Sequence, residues 1–342
     1  MRQLTILYLG NDLSHHGITP TGVETLGNRL NEDFNIIKAS PLKNQFFRIL
    51  HMWYMVVRWR NSDFLLIDTY STSAFLFAWT SARLAFLFGL KYIPILHGGA
   101  LPLRAKKSPK IMTRYLQNAY KVVCPSLYLK TEMEKVLHTT DYLLIPNAID
   151  LLDYPYQAHS APQTPMIKLL WVRSFHQIYN PTLAIKILNS LLKRGYKLAE
   201  LCMVGPDKDG SQQEVERFAR ELGIYDRIRI TGKLTKKEWV ALAAGYHIFI
   251  NTTNIDNTPV SVIEAMALGL PIVSTNVGGI PFIINSSENG ILVPPNDAEL
   301  FADAIVSMQE EQLFTKLATE GRATAESYDW KRVRPKWLSV LR

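Results

Sequence analysis

Twelve short runs of aliphatic, β-branched and aromatic residues recur along the 342-residue chain, and helix-period segments separate them. In the first half they fall at 4–9, 34–37, 64–67, 92–96, 122–125 and 142–145. In the second they fall at 167–172, 201–204, 228–231, 248–251, 271–275 and 291–293. Strands alternating with helices predict parallel sheets with helices on both faces. Several runs are apolar at consecutive positions, as strands covered on both sides must be. Two sets of six predict an α/β chain of two doubly wound, Rossmann-like domains, and the length exceeds what one compact domain usually needs. The stretch 153–165, with three prolines, two glutamines and no strong period, is the expected linker. The domains are therefore expected at 1–155 and 163–326. A last helix, 327–342, carries Trp330, Val333, Trp337 and Leu341 on one apolar face and is expected to pack back on the first domain.

Charge is unevenly placed. The chain holds 38 Lys and Arg against 30 Asp and Glu, and residues 1–150 hold 17 basic against 10 acidic side chains. A basic first half attracts phosphate, anionic lipid or nucleic acid. No RNA-binding aromatic signature or DNA-reading motif accompanies it, so nucleic acid is not an expected partner. Cys124 and Cys202 lie in apolar runs without metal-ligand spacing and read as buried reduced thiols. The N-terminus reads as a first strand and lacks a signal peptide's longer apolar stretch, so a cytoplasmic location is expected. The stretch 74–90 is the most apolar helical one; it contains Arg83 and is short of the roughly 20 residues a spanning helix needs. It reads as a buried core helix.

The segment 251–284, NTTNIDNTPVSVIEAMALGLPIVSTNVGGIPFII, carries the most chemistry. Thr258 and Pro259 read as N-cap and first helical residue, and Gly269 as the left-handed stop. The helix between has almost no polar face, so it is expected to be buried. Glu264 is a lone carboxylate on it, costly unless hydrogen-bonded or solvated at a cleft. Asp256 lies in the loop entering the helix, and Glu264 about two turns in. The amide end around residues 259–261 offers a phosphate site, and Gly278-Gly279 a second one where backbone can approach a ligand. On the pattern alone, the other reading is a capped core helix with Glu264 bound to neighbouring backbone.

That segment resembles the donor-binding signature of retaining GT-B glycosyltransferases of family 4: an acid, seven residues, then Glu-Ala-Met-Ala-x-Gly. The resemblance extends over nearly the whole chain, through GVETLGNRL, LHGG, VCPS, IPNAID, VRSFHQIYNP, MVGPD, TGKL, VGGIP and NGILVPP in the family's order. It implies a GT-B fold whose two domains face across a cleft. It also implies a hexosyltransferase-type enzyme that moves a sugar from a UDP- or GDP-linked donor with retention of configuration. Glu264 would accept hydrogen bonds from the ribose hydroxyls. Asp256 and the backbone of Asn257, Thr258, Pro259, Val260 and Ser261 would hold donor sugar and phosphates. Arg173 would clamp the pyrophosphate, and the backbone near Gly232 and Lys233 would meet the base. His97, after an apolar strand, would sit beside the donor sugar, and Gly22 would approach donor or acceptor. Without the resemblance, His97 reads as a satisfied strand-end histidine, Arg173 as a strand-end ion pair and Gly22 as a loop glycine. The sequence departs from the family at Asp256, where Glu is more frequent, and at Tyr179, where Lys is common.

No cofactor is expected, since the nucleotide sugar is a substrate. Nor is a metal: no Asp-x-Asp ends a strand, and Asp207-Lys208-Asp209 reads as a turn. The acceptor is expected to be a glycan or lipid-linked molecule in polysaccharide or glycolipid synthesis. In 46–59, Arg48, His51, Met55 and Arg58 fall on one helical stripe, and 101–114 carries Arg104, Lys106, Lys107, Lys110 and Arg114. This basic surface would bring the chain to the inner face of an anionic membrane; the same residues read equally as a core helix and a solvated loop. A nucleotide-sugar epimerase of related architecture and a non-catalytic nucleotide-sugar binder are the alternatives.

Overall fold

The computed structural model describes residues 2–16, 20–137 and 141–342. The chain divides into two compact units, Met1–Pro146 with Pro335–Arg342, and Asn147–Arg334. The division falls earlier than the 153–165 stretch, because that stretch is bound into the second unit. Tyr154 is wholly buried there, and the Gln157 amide donates to the Leu268 carbonyl. The last helix, Trp330–Leu341, spans the division. Its Val333, Trp337 and Leu341 are buried.

The first unit contains β1 (Thr5–Leu9), β2 (Asn35–Ala39), β3 (Phe64–Thr69), β4 (Tyr92–Leu96), β5 (Val122–Cys124) and β6 (Tyr142–Leu144). They form one sheet in the order β2-β1-β3-β4-β5-β6, every pair parallel. Register aligns the carboxyl ends: Leu9 faces Ala39 and Ile67, and Thr69 faces Leu96. The second unit contains β7 (Lys168–Val172), β8 (Glu200–Val204), β9 (Ile228–Gly232), β10 (Ile248–Asn251), β11 (Ile272–Thr275) and β12 (Ile291–Val293). Their order is β12-β11-β10-β7-β8-β9, again all parallel. Both are doubly wound Rossmann-like sheets, as the alternation predicts. In such sheets the chain's winding reverses at one strand pair, and the crevice at the carboxyl ends of that pair is where ligands bind. The reversal lies between β1 and β3 in the first unit and between β7 and β10 in the second.

The helices start where local side chains can serve their free amides. Asn44 accepts from the amides of Phe46 and Phe47 at the head of Gln45–Arg58, and Glu24 reaches back to the Thr21 amide at the head of Gly22–Leu30. Two expectations need correction. Phe75–Leu87 is not a fully buried helix: Phe75, Phe77, Ala78 and Ala82 are buried, while Leu76, Phe86 and Leu87 face solvent. One face suffices to cover β3 and β4, so the other stays outside. The stripe on Gln45–Arg58 is only partly free: Arg58 is exposed beside Trp59, but its other polar members are engaged. Arg48 is spent on Asn11 and on the carbonyls of Leu42 and Lys43, and His51 on Ser40, leaving Phe46, Phe47, Leu50 and Tyr54 exposed. Both cysteines are buried and free, and burial pushes the Cys124 thiol up to about 12. Among the described residues, no helix is long and apolar enough to cross a membrane.

Candidate functional site

Arg173 follows β7 and Asp256 follows β10, so both stand at the carboxyl ends of the two strands where the second sheet reverses. The Arg173 guanidinium contacts the Asp256 carboxylate and lies 4.5 Å over the Tyr179 ring. Its Nε has no hydrogen-bond partner among the described residues. Burial lowers the Arg173 pKa, and the charge of Tyr179 and Glu264 opposes that shift. Gly205, after β8, makes this packing possible. Its φ is +152°, and a Cβ there would lie 1.8 Å from the Arg173 carbonyl oxygen. The glycine of MVGPD was visible in the sequence, but its contact needed the fold.

The helix Val260–Leu268 is capped differently from expectation. Pro259, not Thr258, occupies the N-cap, with no side-chain cap bond. The Pro259 carbonyl accepts from the amides of Val262 and Ile263, as an N-cap carbonyl does, and the amides left without an intrahelical partner are those of Val260 and Ser261. The hydroxyls of Thr258 and Ser261 are buried without a hydrogen-bond partner among the described residues. An unpaired buried hydroxyl costs about 1–3 kcal/mol. Two of them beside an amide end form a donor-rich cradle suited to an anion. Gly269 ends the helix at φ 86°, as expected. Asn257 turns its amide onto the Asp256 carboxylate at 2.8 Å.

Glu264 is half-buried on this helix, and its Oε1 accepts a hydrogen bond from Tyr154, a residue with no exposed surface. Burial raises the Glu264 pKa; the Tyr154 hydroxyl, then Lys236 and Arg173, pull it back. Lys236 itself bonds Asp153 at 2.9 Å. Glu264 Oε2 has no hydrogen-bond partner among the described residues. Tyr154 was missed in the sequence because it lies in the stretch read as linker. Gly278-Gly279 stands at a second helix start, though a short one. Gly279 is the N-cap of a three-residue 3-10 helix, Ile280–Phe282, and a Cβ at Gly278 or Gly279 would lie 2.1 Å or 1.8 Å from the carbonyl oxygens of Asp256 or Asn257. Those glycines give room to the loop of Asp256. Gly232, with φ 71°, ends β9, and its carbonyl accepts from Gly205; Lys233 follows on the surface.

In the first unit, His97 follows β4 and its Nε2 lies 2.9 Å from Oδ1 of Asp68, which is buried in β3. The Tyr8 hydroxyl donates to the same oxygen at 2.9 Å, and the Tyr70 ring stacks on the imidazole with centroids 5.2 Å apart. Burial, then Asp68, holds the Tyr8 pKa far above its ordinary range. Gly22 begins the helix Gly22–Leu30, and a Cβ there would lie 3.0 Å from Asp68 and 3.1 Å from the Tyr8 hydroxyl. Its missing side chain therefore makes room for the carboxylate. Asp68 was missed although the signal was there: it is an acid inside an otherwise apolar strand.

Among solved structures, sucrose-phosphate synthase from Thermosynechococcus elongatus superposes with a TM-score of 0.81 at 14% identity, covering 99% of this chain and 98% of that one. Anabaena Alr3699/HepE in complex with UDP and glucose gives 0.76 at 15% identity, covering 99% of both. The fold is GT-B. In sequence, residues 167–311 match the family model described as glycosyl transferases group 1. One subunit of the human phosphatidylinositol N-acetylglucosaminyltransferase is 27% identical over 187 residues, 51% of this chain and 36% of that protein. D-inositol 3-phosphate glycosyltransferase of Saccharomonospora viridis is 27% identical over 149 residues, 43% and 35% respectively. The matched stretch thus spans about a third of these relatives' length. Together the GT-B fold and the group 1 match support a glycosyltransferase.

Proposed function

We propose that the protein is a retaining GT-B glycosyltransferase of family 4 that uses a UDP- or GDP-linked hexose. The observation that carries this reading is the cradle in the second unit: half-buried Arg173 with an uncommitted Nε, beside Asp256 and a helix start with two unpaired hydroxyls. Such a cradle suits a diphosphate, whose charge grows as the sugar leaves. Glu264 Oε2, about one helical turn from that helix start, suits a pair of vicinal ribose hydroxyls. The neighbour solved with UDP and glucose agrees with a uridine diphosphate donor.

In the proposed reaction the acceptor hydroxyl attacks the anomeric carbon on the face the diphosphate leaves. The bond from C1 to the diphosphate breaks, a bond from C1 to the acceptor oxygen forms, and the hydroxyl proton passes to the departing phosphate oxygen. Arg173 and the amides of Val260 and Ser261 stabilise the leaving group, so no metal is required. Gly232 and Lys233 flank the base.

The acceptor is proposed to be a glycan or lipid-linked molecule of polysaccharide or glycolipid synthesis, met at an anionic membrane. Residues 34–131 hold fourteen Lys and Arg but only two acids, Asp63 and Asp68, and Asp68 is buried. Phe46, Phe47, Tyr54, Leu76, Phe86 and Leu87 stand exposed in the same unit. Lys106, Lys107 and Lys110 are exposed as well, whereas Arg104 is tied to the carbonyls of Ser71 and Thr72. Aromatic residues flanked by cations suit a headgroup interface.

Incubation with a panel of nucleotide sugars, with and without a chelator, tests the reading. Donor-dependent stabilisation with slow hydrolysis or transfer, unaffected by chelation, is expected. An epimerised donor, or binding without any turnover, would replace the transferase by the epimerase or by the non-catalytic binder.

A further inference from the structure

We propose that a cavity inside the first unit, between the helices Phe75–Leu87 and Pro109–Gln117, holds one anionic phospholipid, its phosphate on Arg83 and Arg114 and the start of an acyl chain inside. The proposal rests on the membrane reading above. The cavity measures about 350 Å³, within the range of a small-molecule site. One wall is a single stripe of the first helix, with Trp79, Ala82, Arg83, Phe86 and Leu87 at successive three- and four-residue steps. Tyr92 and Tyr115 also line it, and both are buried. The Tyr92 hydroxyl donates to the Tyr115 carbonyl at 2.6 Å, and the Tyr115 hydroxyl lies 2.6 Å from that of Thr69. Both phenol oxygens are engaged, so the cavity meets mainly ring and aliphatic surface, which suits a hydrocarbon chain.

The charge of the lining selects the head of that chain. The Arg83 guanidinium lies 5.4 Å over the Trp79 ring, and neither it nor Arg114 has an ion-pair partner among the described residues. Two forked cations suit one phosphate. Lys110 stands exposed one turn before Arg114 on the same helix, and Phe86 and Leu87 are exposed at the rim. The rim thus offers apolar side chains to a bilayer and cations to its headgroups. A second copy of this surface would bring like charge to the same place. Tyr92 opens β4, so the cavity stands at the amino end of the first sheet, away from the carboxyl ends where such sheets bind their ligands. A lipid held there anchors the unit and is not a substrate.

Dihexanoylphosphatidylglycerol, monomeric in dilute solution, separates the cavity from the membrane surface. By isothermal titration the whole chain should bind it more tightly than the phosphatidylcholine of the same chain length. Glycerol 1-phosphate, which has the phosphate and no chain, should bind about tenfold or more weakly. Exchanging Arg83 and Arg114 together for Gln should weaken lipid binding about tenfold or more. On vesicles of phosphatidylglycerol brominated in its chains, the emission lost in Trp79→Phe should be the emission that the bromine quenches. Equal affinity for glycerol 1-phosphate or for the choline lipid overturns the proposal, as does undiminished binding by the double variant or an unquenched Trp79. A dimer that the double variant dissolves would assign the face to a second copy instead. Vesicle binding without monomer binding also overturns the proposal and leaves the membrane reading standing. Monomer binding without vesicle binding ends the membrane reading and leaves the lipid site standing.

Discussion

Replacing Tyr154 by Phe removes one hydroxyl from beneath the Glu264 carboxylate and changes little else in shape. Tyr154 is wholly buried, so the hydroxyl's contribution is not diluted by water. A hydrogen bond to an ionised acceptor contributes about 1.5–3 kcal/mol, and one to a neutral acceptor about 0.5–1.5 kcal/mol. The folded pKa of Glu264 is raised by burial, and Tyr154 is the largest influence opposing that rise. A raised acid contributes stability that is fully present below its unfolded pKa and lost as pH rises through its folded pKa. Tyr154→Phe lifts the folded pKa further and deepens that loss, so the mutational cost should grow with pH. For a unit of this size 1 kcal/mol moves Tm by about 2–4 °C, giving a loss of about 3–12 °C at about pH 8 and about 1–6 °C at about pH 4. Thermal unfolding of the single variants Tyr154→Phe and Glu264→Gln, and of the double variant, measures the coupling directly. A cost independent of pH, or a coupling below about 0.5 kcal/mol, would refute the argument.

Three other outcomes follow from the geometry. Gly205→Ala should lower Tm by several degrees and also weaken UDP binding, because a Cβ there meets the Arg173 carbonyl at 1.8 Å; calorimetry showing neither change would contradict the packing account. Arg173→Lys should weaken UDP binding about tenfold or more by isothermal titration, since an ammonium cannot reproduce the fork over Tyr179, and equal affinity would remove Arg173 from the cradle. Exchanging Lys106, Lys107 and Lys110 for Gln should reduce binding to anionic vesicles about tenfold or more at low salt, from about 1 kcal/mol per cation; indifference to lipid charge would end the membrane reading.

The architecture was legible in the sequence because both sheets are buried on two faces, and that makes each strand a nearly unbroken apolar run. All twelve runs became strands, with ends shifted by a residue or two. The helix bearing Glu264 was legible for the same reason, and its stop at Gly269 has the left-handed geometry that glycine tolerates. Its start was misread: Thr258 has capping chemistry, but Pro259 takes the cap position and leaves the hydroxyl unpaired. Tyr154, Asp68 and Gly205 were not found for a different reason. Each acts through a partner between 29 and 110 residues away or through a strand-to-strand contact, and no local spacing encodes such pairs. The prolines of 153–165 read as a linker, and the stretch is anchored in the second unit by buried Tyr154.

The glycine pair at 278 and 279 has one more consequence. Its backbone presses on the carbonyls of Asp256 and Asn257 at distances no side chain tolerates, and the Gly279 amide holds the Asp256 carbonyl at 2.9 Å. The acid's loop therefore leans on a buttress built after the next strand. A graft carrying only residues 256–264 into another scaffold would bring the acids and leave behind the wall that aims them.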